Sequence, residues 1–200
     1  MADESTGGKK SATSGLRGQA AGQTAICTVG AEGNSLRYRG YDVVELAEQS
    51  TFHEVAHLIL KGHLPNRAEL NAWKARLKGL RGLPQALKEV LERIPASAHP
   101  MDVMRTGCSF LGNIEPEGEF ANQLAVAERL LALFPAIVVY WYRYSHDGLR
   151  IETETDDDGI GAHFLHLLHG AAPDDISARV MDVSLILYAE HEFNASTFTA

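Results

Sequence analysis

One stretch restricts the possible folds more than any other. Leu130, Leu131, Leu133, Phe134, Ile137, Val138, Tyr140, Trp141 and Tyr144 are spread around nearly all sides of a helical wheel. A helix that is apolar all round has to be enclosed by other helices, so the chain is read as a large α-helical body. Further stripes agree: Phe52, Val55, Ala56 and Ile59 recur at helical spacing, as do Leu70, Trp73 and Leu77, and both sets are assigned to the core. Breaks at Gln49-Ser50-Thr51, Gly62 to Pro65, Gly82-Leu83-Pro84, Ile94 to Pro100, Gly112 to Gly118 and His146 to Gly159 divide the chain into about eight helices.

Ile26-Cys27-Thr28-Val29 and Leu36-Arg37-Tyr38-Arg39 flank a stretch containing Gly30, Gly33 and Asn34 and predict a small β-hairpin, the only convincing β structure. Residues 1–22, rich in Ser, Thr, Gly, Ala and Lys and without periodicity, are read as a mobile arm. No repeat and no shift in composition marks a domain boundary, and 200 residues with 45% apolar content can bury a substantial core.

The formal charge of -8 argues against nonspecific nucleic-acid binding, which needs clustered cations. A small anionic substrate stays compatible with this charge, since a local patch can be opposite in sign to the total and Arg37, Arg39, Arg76 and Arg81 are available for one. No stretch approaches the ~18 uninterrupted apolar residues of a membrane span, and no apolar run follows the start as in a signal peptide. A cytoplasmic location is expected. Cys27 and Cys108 are too few for a disulfide framework and are read as buried or surface thiols.

Several motif readings fail on spacing. Gly7-Gly8-Lys9-Lys10-Ser11 lacks the spacing of a phosphate loop, and His191-Glu192 opens a zinc-protease motif whose second ligand position is Ala195. Glu154, Asp156, Asp158 and Gly159 match the first half of a calcium loop, but Leu165 stands where a bidentate Glu belongs. That acidic run is read as a solvated turn in which Asp156, Asp157 or Asp158 caps, or lends charge to, the next helix. His163, His166 and His169 fall within an arc of about 120° on one helix. Without a carboxylate or Cys to complete the shell, they are read as structural or cleft-lining histidines. No G-x-S-x-G elbow or dinucleotide-binding G-x-G-x-x-G occurs. Ile176, Val180, Val183, Leu187 and His191 follow one helical stripe, which puts His191 at the end of a buried face, either satisfied in the core or facing a cleft.

Family resemblance adds to this. Leu36-Arg37-Tyr38-Arg39-Gly40-Tyr41-Asp42 resembles the "YRGY" hairpin of the citrate-synthase family, and Glu54 through Leu60 into Gly62-x-Leu64-Pro65 is similar to the helix and break that follow it. His99-Pro100-Met101-Asp102-Val103-Met104-Arg105-Thr106 and Tyr188-Ala189-Glu190-His191-Glu192-Phe193-Asn194-Ala195-Ser196-Thr197 resemble further family segments. Tyr140 to His146, and Glu154 to Asp158 running into His163 to Gly170, are most similar to the propionyl-CoA-using branch.

The resemblance implies an all-α, citrate-synthase-like large domain with a small N-terminal hairpin, spanning residues 23–200 and ending before the small domain. It implies condensation of oxaloacetate with propionyl-CoA to 2-methylcitrate and CoA, with acetyl-CoA as the secondary donor; the alternative is citrate synthesis itself. It implies no metal and no cofactor, the CoA thioester being a substrate, and a homodimer with exposed apolar helical faces. His191 corresponds to the family histidine that contacts oxaloacetate, and Arg76 occupies a basic position that could meet a substrate anion or simply face solvent. The family's catalytic Asp and two His belong to motifs absent here and expected beyond Ala200. This stretch by itself is therefore expected to show no turnover, at most binding oxaloacetate weakly or pairing with intact subunits.

Overall fold

A computed structural model of the chain describes residues 22–30 and 35–193. The predicted arm lies outside the described residues except for Gly22, as do Gly33, Asn34 and the tail from Asn194 to Ala200.

The predicted hairpin is present as part of a three-stranded antiparallel sheet: β1 (Cys27–Val29), β2 (Leu36–Tyr38) and β3 (Tyr41–Asp42). Tyr38 pairs with Tyr41 across a two-residue turn, Arg39-Gly40, whose φ values are 47° and 91°. Both residues are left-handed, as a two-residue turn that matches strand twist requires, and this turn supplies the third strand that the sequence pattern missed.

Eight α-helices follow among the described residues: α1 (Val43–Gln49), α2 (Phe52–Lys61), α3 (Arg67–Gly79), α4 (Gln85–Leu91), α5 (Pro100–Ile114), α6 (Gln123–Asp147), α7 (Ile160–His169) and α8 (Asp175–Leu187). Their boundaries have local causes. Glu54 accepts from the Thr51 backbone N–H at 2.8 Å in a capping box that opens α2, and left-handed Gly62 closes that helix. Asn66 and Glu69 form the equivalent box on α3. His99 caps α5 with Pro100 in its first turn, where a missing N–H costs nothing. Gly112 proves to lie inside α5, not at its break.

Two clusters make the core. One joins the sheet to α1, α2 and α3 through residues such as Tyr38, Leu46, Val55, Leu58, Trp73 and Leu77. The other joins α4, α5, α6 and α7 through Leu87, Leu91, Val103, Leu133, Ile137 and Trp141. Helix α6 contributes Ala132 to the first and most of its apolar residues to the second, so it lies between them. It continues through the buried Pro135. The stretch Phe120–Asp147 is long and apolar enough to cross a membrane, which the count of uninterrupted apolar residues overlooked, but half of its most apolar window is buried inside this fold.

The enclosure of α6 is incomplete. Leu131, Phe134 and Val138 are only partly buried and line an apolar groove of about 290 Å³ whose opposite wall includes Ile160, Phe164 and Leu185. The stripe predicted to bury α8 is likewise open: Ile176 is 78% exposed, Val180 61% and Leu187 45%. Helix α8 packs instead through Ile186 and the partly buried Val183 and Leu185 against the first cluster. The expectation of exposed apolar helical faces is met there.

Candidate functional site

The segment carrying His191 begins where α8 stops. Its last helical residue is Leu187, Tyr188 is the cap, and Glu190 to Phe193 form an irregular strand of chain with Glu192 at φ 64°. His191 is thus past the helix, exposed, and neither a core histidine nor the last position of a buried stripe. The sequence pattern extended the helix one turn too far: no residue between 188 and 193 is incompatible with helix by composition, and what stops it is tertiary contact.

Those contacts come from the sheet. The Tyr38 hydroxyl, fully buried, donates to the Ile186 carbonyl at 3.0 Å and the Leu187 carbonyl at 3.4 Å. Burial pushes the Tyr38 phenol up, with hydrogen bonding from the Glu190 and Ala189 backbone opposing it. The Cys27 thiol is also pushed up by burial, opposed by the Glu192 backbone N–H. At the other side of the helix, Asp182 accepts from the Phe52 backbone N–H at 3.0 and 3.1 Å and so caps α2. Arg179 donates to the Ser50 carbonyl at 2.8 Å and to the Ala47 carbonyl, closing the end of α1. One turn of α8 therefore clasps the α1–α2 junction at both of its free backbone ends. Burial raises the Asp182 carboxyl above the usual range, with the Phe52 N–H and Arg179 opposing.

Arg76 sits elsewhere in a different role. On α3, half-exposed, its guanidinium pairs with Glu128 of α6, a carboxylate also held by Lys61 at 2.9 Å. Glu128 is only 2% exposed; burial raises its carboxyl, and Lys61 and Arg76 more than offset this, leaving it below the usual range. The other members of the predicted basic patch are also occupied: Arg39 donates to the Ile59 carbonyl, and Arg81 is buried with its guanidinium donating to the Thr155 and Asp157 carbonyls. Arg37 is exposed, and the other three are each engaged with a different partner, so these four residues do not converge on one anion site.

The three α7 histidines are likewise engaged separately. His163 Nδ1 and Thr155 Oγ1 are hydrogen-bonded at 2.9 Å, His166 Nδ1 and Asp157 at 2.7 Å, and His169 is exposed at the helix end. No group of three or more His, Cys, Asp or Glu is placed to hold a metal ion among the described residues. The cap of α7 is Gly159, with no side-chain cap bond, so the acidic run does not cap it as predicted. Its loop is instead strapped onto the α3–α4 corner by Arg81 and by Lys78, which meets Asp156 at 3.2 Å.

Sequence reasoning did not find Tyr38, Cys27, Arg179 or Asp182. Strand alternation could place the first two inward, but the partner of Tyr38 is 148 residues away in the chain.

A hairpin leading into stacked helices, ending in a segment tethered to the sheet, defines a mostly helical subunit and not a nucleotide-binding α/β domain. Solved structures share it. The citrate synthase of Pyrobaculum aerophilum superposes with a TM-score of 0.79 at 36% identity, covering 92% of this chain and 48% of that one. The fold recurs in the citrate synthase of Thermoplasma acidophilum, solved as a ternary complex with carboxymethyl coenzyme A and oxaloacetate, with a TM-score of 0.83 at 24% identity over 90% of this chain and 48% of that one.

The family model described as citrate synthase, C-terminal domain, matches residues 15–200, and the chain belongs to the citrate synthase family. Among its relatives, the 2-methylcitrate synthase of Shewanella oneidensis is 71% identical over 192 residues, 96% of this chain and 51% of that protein. The chain spans about half the length of the curated relatives it matches.

Proposed function

We propose that this chain is the oxaloacetate-contacting part of a 2-methylcitrate synthase, a cytoplasmic homodimer that condenses propionyl-CoA with oxaloacetate and accepts acetyl-CoA as a secondary donor. The observation that carries the reading is the 71% identity to a 2-methylcitrate synthase along nearly the whole chain. Citrate synthases match less closely, at 35% for that of Acidithiobacillus ferridurans and 38% for that of Mycolicibacterium smegmatis, so propionyl-CoA is taken as the principal donor.

The reaction removes a proton from the carbon next to the thioester, adds that carbon to the oxaloacetate ketone, and hydrolyses the resulting thioester to release CoA. Acceleration requires a base, a donor to the developing enolate oxygen and a donor to the ketone. His191 serves the oxaloacetate side of this scheme: an exposed imidazole on a tethered backbone can donate to a carboxylate or to the ketone oxygen and orient it for attack. The base and the enolate donor are assigned to the part of the protein after Ala200. Arg76 belongs to the Glu128 pair in this reading, not to the substrate. The open faces of α8 and of the groove beside α6 are surfaces that the rest of the subunit and its twin cover.

The test is oxaloacetate-dependent release of CoA thiol from propionyl-CoA by the complete protein, with acetyl-CoA measured beside it. The expected result is a higher kcat/KM for propionyl-CoA. Equal or greater efficiency with acetyl-CoA would assign the protein to citrate synthesis, and no thiol release with either donor would remove the synthase reading.

A further inference from the structure

The hairpin near one end of the chain and the His191 segment near the other are joined by Tyr38 of β2. Its side chain leaves the same face of the sheet as that of Cys27, its direct cross-strand partner in the β1–β2 ladder. Both are buried, at 3% for Cys27 and 0% for Tyr38. The Tyr38 hydroxyl grips the last turn of α8 at the Ile186 and Leu187 carbonyls. His191 therefore follows closely on a turn that is held from the sheet, while it is itself exposed.

Two further observations fit a backbone that is held and not merely trailing. Glu192 adopts a left-handed φ of 64°, a conformation that a residue with a Cβ keeps only where its surroundings impose it. The Phe193 ring lies against Gly22, where an added Cβ would be 3.2 Å from the ring, so the chain just before β1 closes over the segment on its far side. Above it, Arg179 and Asp182 fix α8 itself to the α1–α2 junction.

We infer that Tyr38 is a positioning residue for the oxaloacetate contact: by holding the last turn of α8 from the sheet it fixes the backbone that leads into His191 and so sets the direction in which its imidazole is presented. This rests on the synthase reading of His191. A segment left free after the last turn of α8 would have to be ordered by oxaloacetate on binding, and affinity for that substrate would fall by the cost of the ordering. The thioester side of the reaction would not share that loss.

The experiment compares wild type with Tyr38→Phe in the complete protein. Steady-state kinetics are read for each substrate, and amide hydrogen exchange is read across residues 186–193. Tyr38→Phe is expected to raise the KM for oxaloacetate roughly 5- to 20-fold, the effect of one lost buried hydrogen bond, with the KM for propionyl-CoA within about twofold. Exchange of the 186–193 amides is expected to quicken by roughly tenfold while the α5 and α6 amides stay as they were. An unchanged oxaloacetate KM, or a parallel rise in both KM values, would overturn the positioning role. Unchanged exchange would overturn the tether itself, whether or not the protein is a synthase; wild-type protein that releases no thiol would instead remove the synthase reading. If Tyr38→Phe does not fold, exchange of the 186–193 amides is read in the wild-type protein: protection matching that of the body of α8 supports the tether, and exchange at the rate of free chain overturns it.

Discussion

His191 and Arg76 show how differently two basic side chains of one chain are used. His191 is exposed on backbone that other residues hold, whereas Arg76 spends its guanidinium on the buried Glu128. In the complete protein, His191→Ala should raise the oxaloacetate KM strongly, roughly tenfold or more, and lower kcat as well, because the contact that binds also orients the ketone. Unaltered oxaloacetate kinetics would return His191 to the surface. Arg76→Ala should behave in the opposite way. Lys61 remains to compensate the Glu128 carboxylate, so the loss is partial, about 1–2 kcal/mol by chemical denaturation, with the oxaloacetate KM within about twofold of wild type. A large rise in that KM would bring Arg76 back to the substrate. The residue types and their spacing pointed to both positions, but the partner of Arg76 is 52 positions away in sequence, and nothing local distinguishes a paired arginine from a substrate-facing one.

At the level of elements, α5 and α6 approach each other closely in the second core cluster. A Cβ at Gly107 would stand 2.7 Å from Ile137 Cγ2, a distance side-chain carbons do not adopt, so the two helices approach as they do because residue 107 has no side chain. Gly107→Ala gains helix propensity of about 1 kcal/mol, but the clash falls on a fully buried β-branched side chain that cannot swing aside. A net destabilisation of about 1–3 kcal/mol is expected, measured as a lower denaturation midpoint at unchanged m-value; a stabilised variant would mean that α5 can shift freely on α6. Helix positions themselves were readable because caps and breakers are local: Thr51 with Glu54, Asn66 with Glu69, and Gly62 act within a few residues of where they stand. The third strand and the end of α8 were not readable, because the first depends on a left-handed Arg39 and the second on Tyr38 reaching across the chain. Periodicity also buried the wrong face of α8: the stripe from Ile176 to Leu187 is apolar, and a stripe alone does not say whether its cover lies within the same stretch of chain.

For the molecule as a whole, acid should loosen the fold well before its carboxylates are titrated. His53 and His163 are both buried, at 1% and 0% exposure, and each is held down to about 4. For His53 the cause is burial first, then the positive charges of Lys74 and Arg81, against a weaker pull from Asp158. For His163 it is burial and then Arg81, with Asp157 opposing and His166 adding to the fall. Both histidines stay neutral in the folded chain down to about 4, while in the unfolded chain they take up protons below the ordinary 6.5. The unfolded state binds more protons throughout that window, so stability is full above pH 6.5 and declines as the pH falls toward 4. Within the window each histidine contributes a slope of at most about 1.4 kcal/mol per pH unit. The depressed carboxylates act lower: Glu92, held to about 2 chiefly by Arg150 and Tyr140, and Asp157, also held below its ordinary value, begin to lose their contribution only near and below the ordinary carboxylate range. Denaturant midpoints measured between pH 7.5 and 5 should therefore fall steadily, and His53→Leu should roughly halve the slope because His163 alone remains. A flat profile from 7.5 to 5 would mean that both rings take up protons in the folded core as readily as in the unfolded chain. Arg81 ties this response to the rest of the molecule, because the guanidinium that depresses both histidines also holds the Thr155 and Asp157 carbonyls. Charging either ring sets like charge against the group that straps the α6–α7 loop onto the α3–α4 corner, so the loop's amides at residues 153–158 should lose exchange protection as the pH approaches 4, where the rings charge in the folded chain.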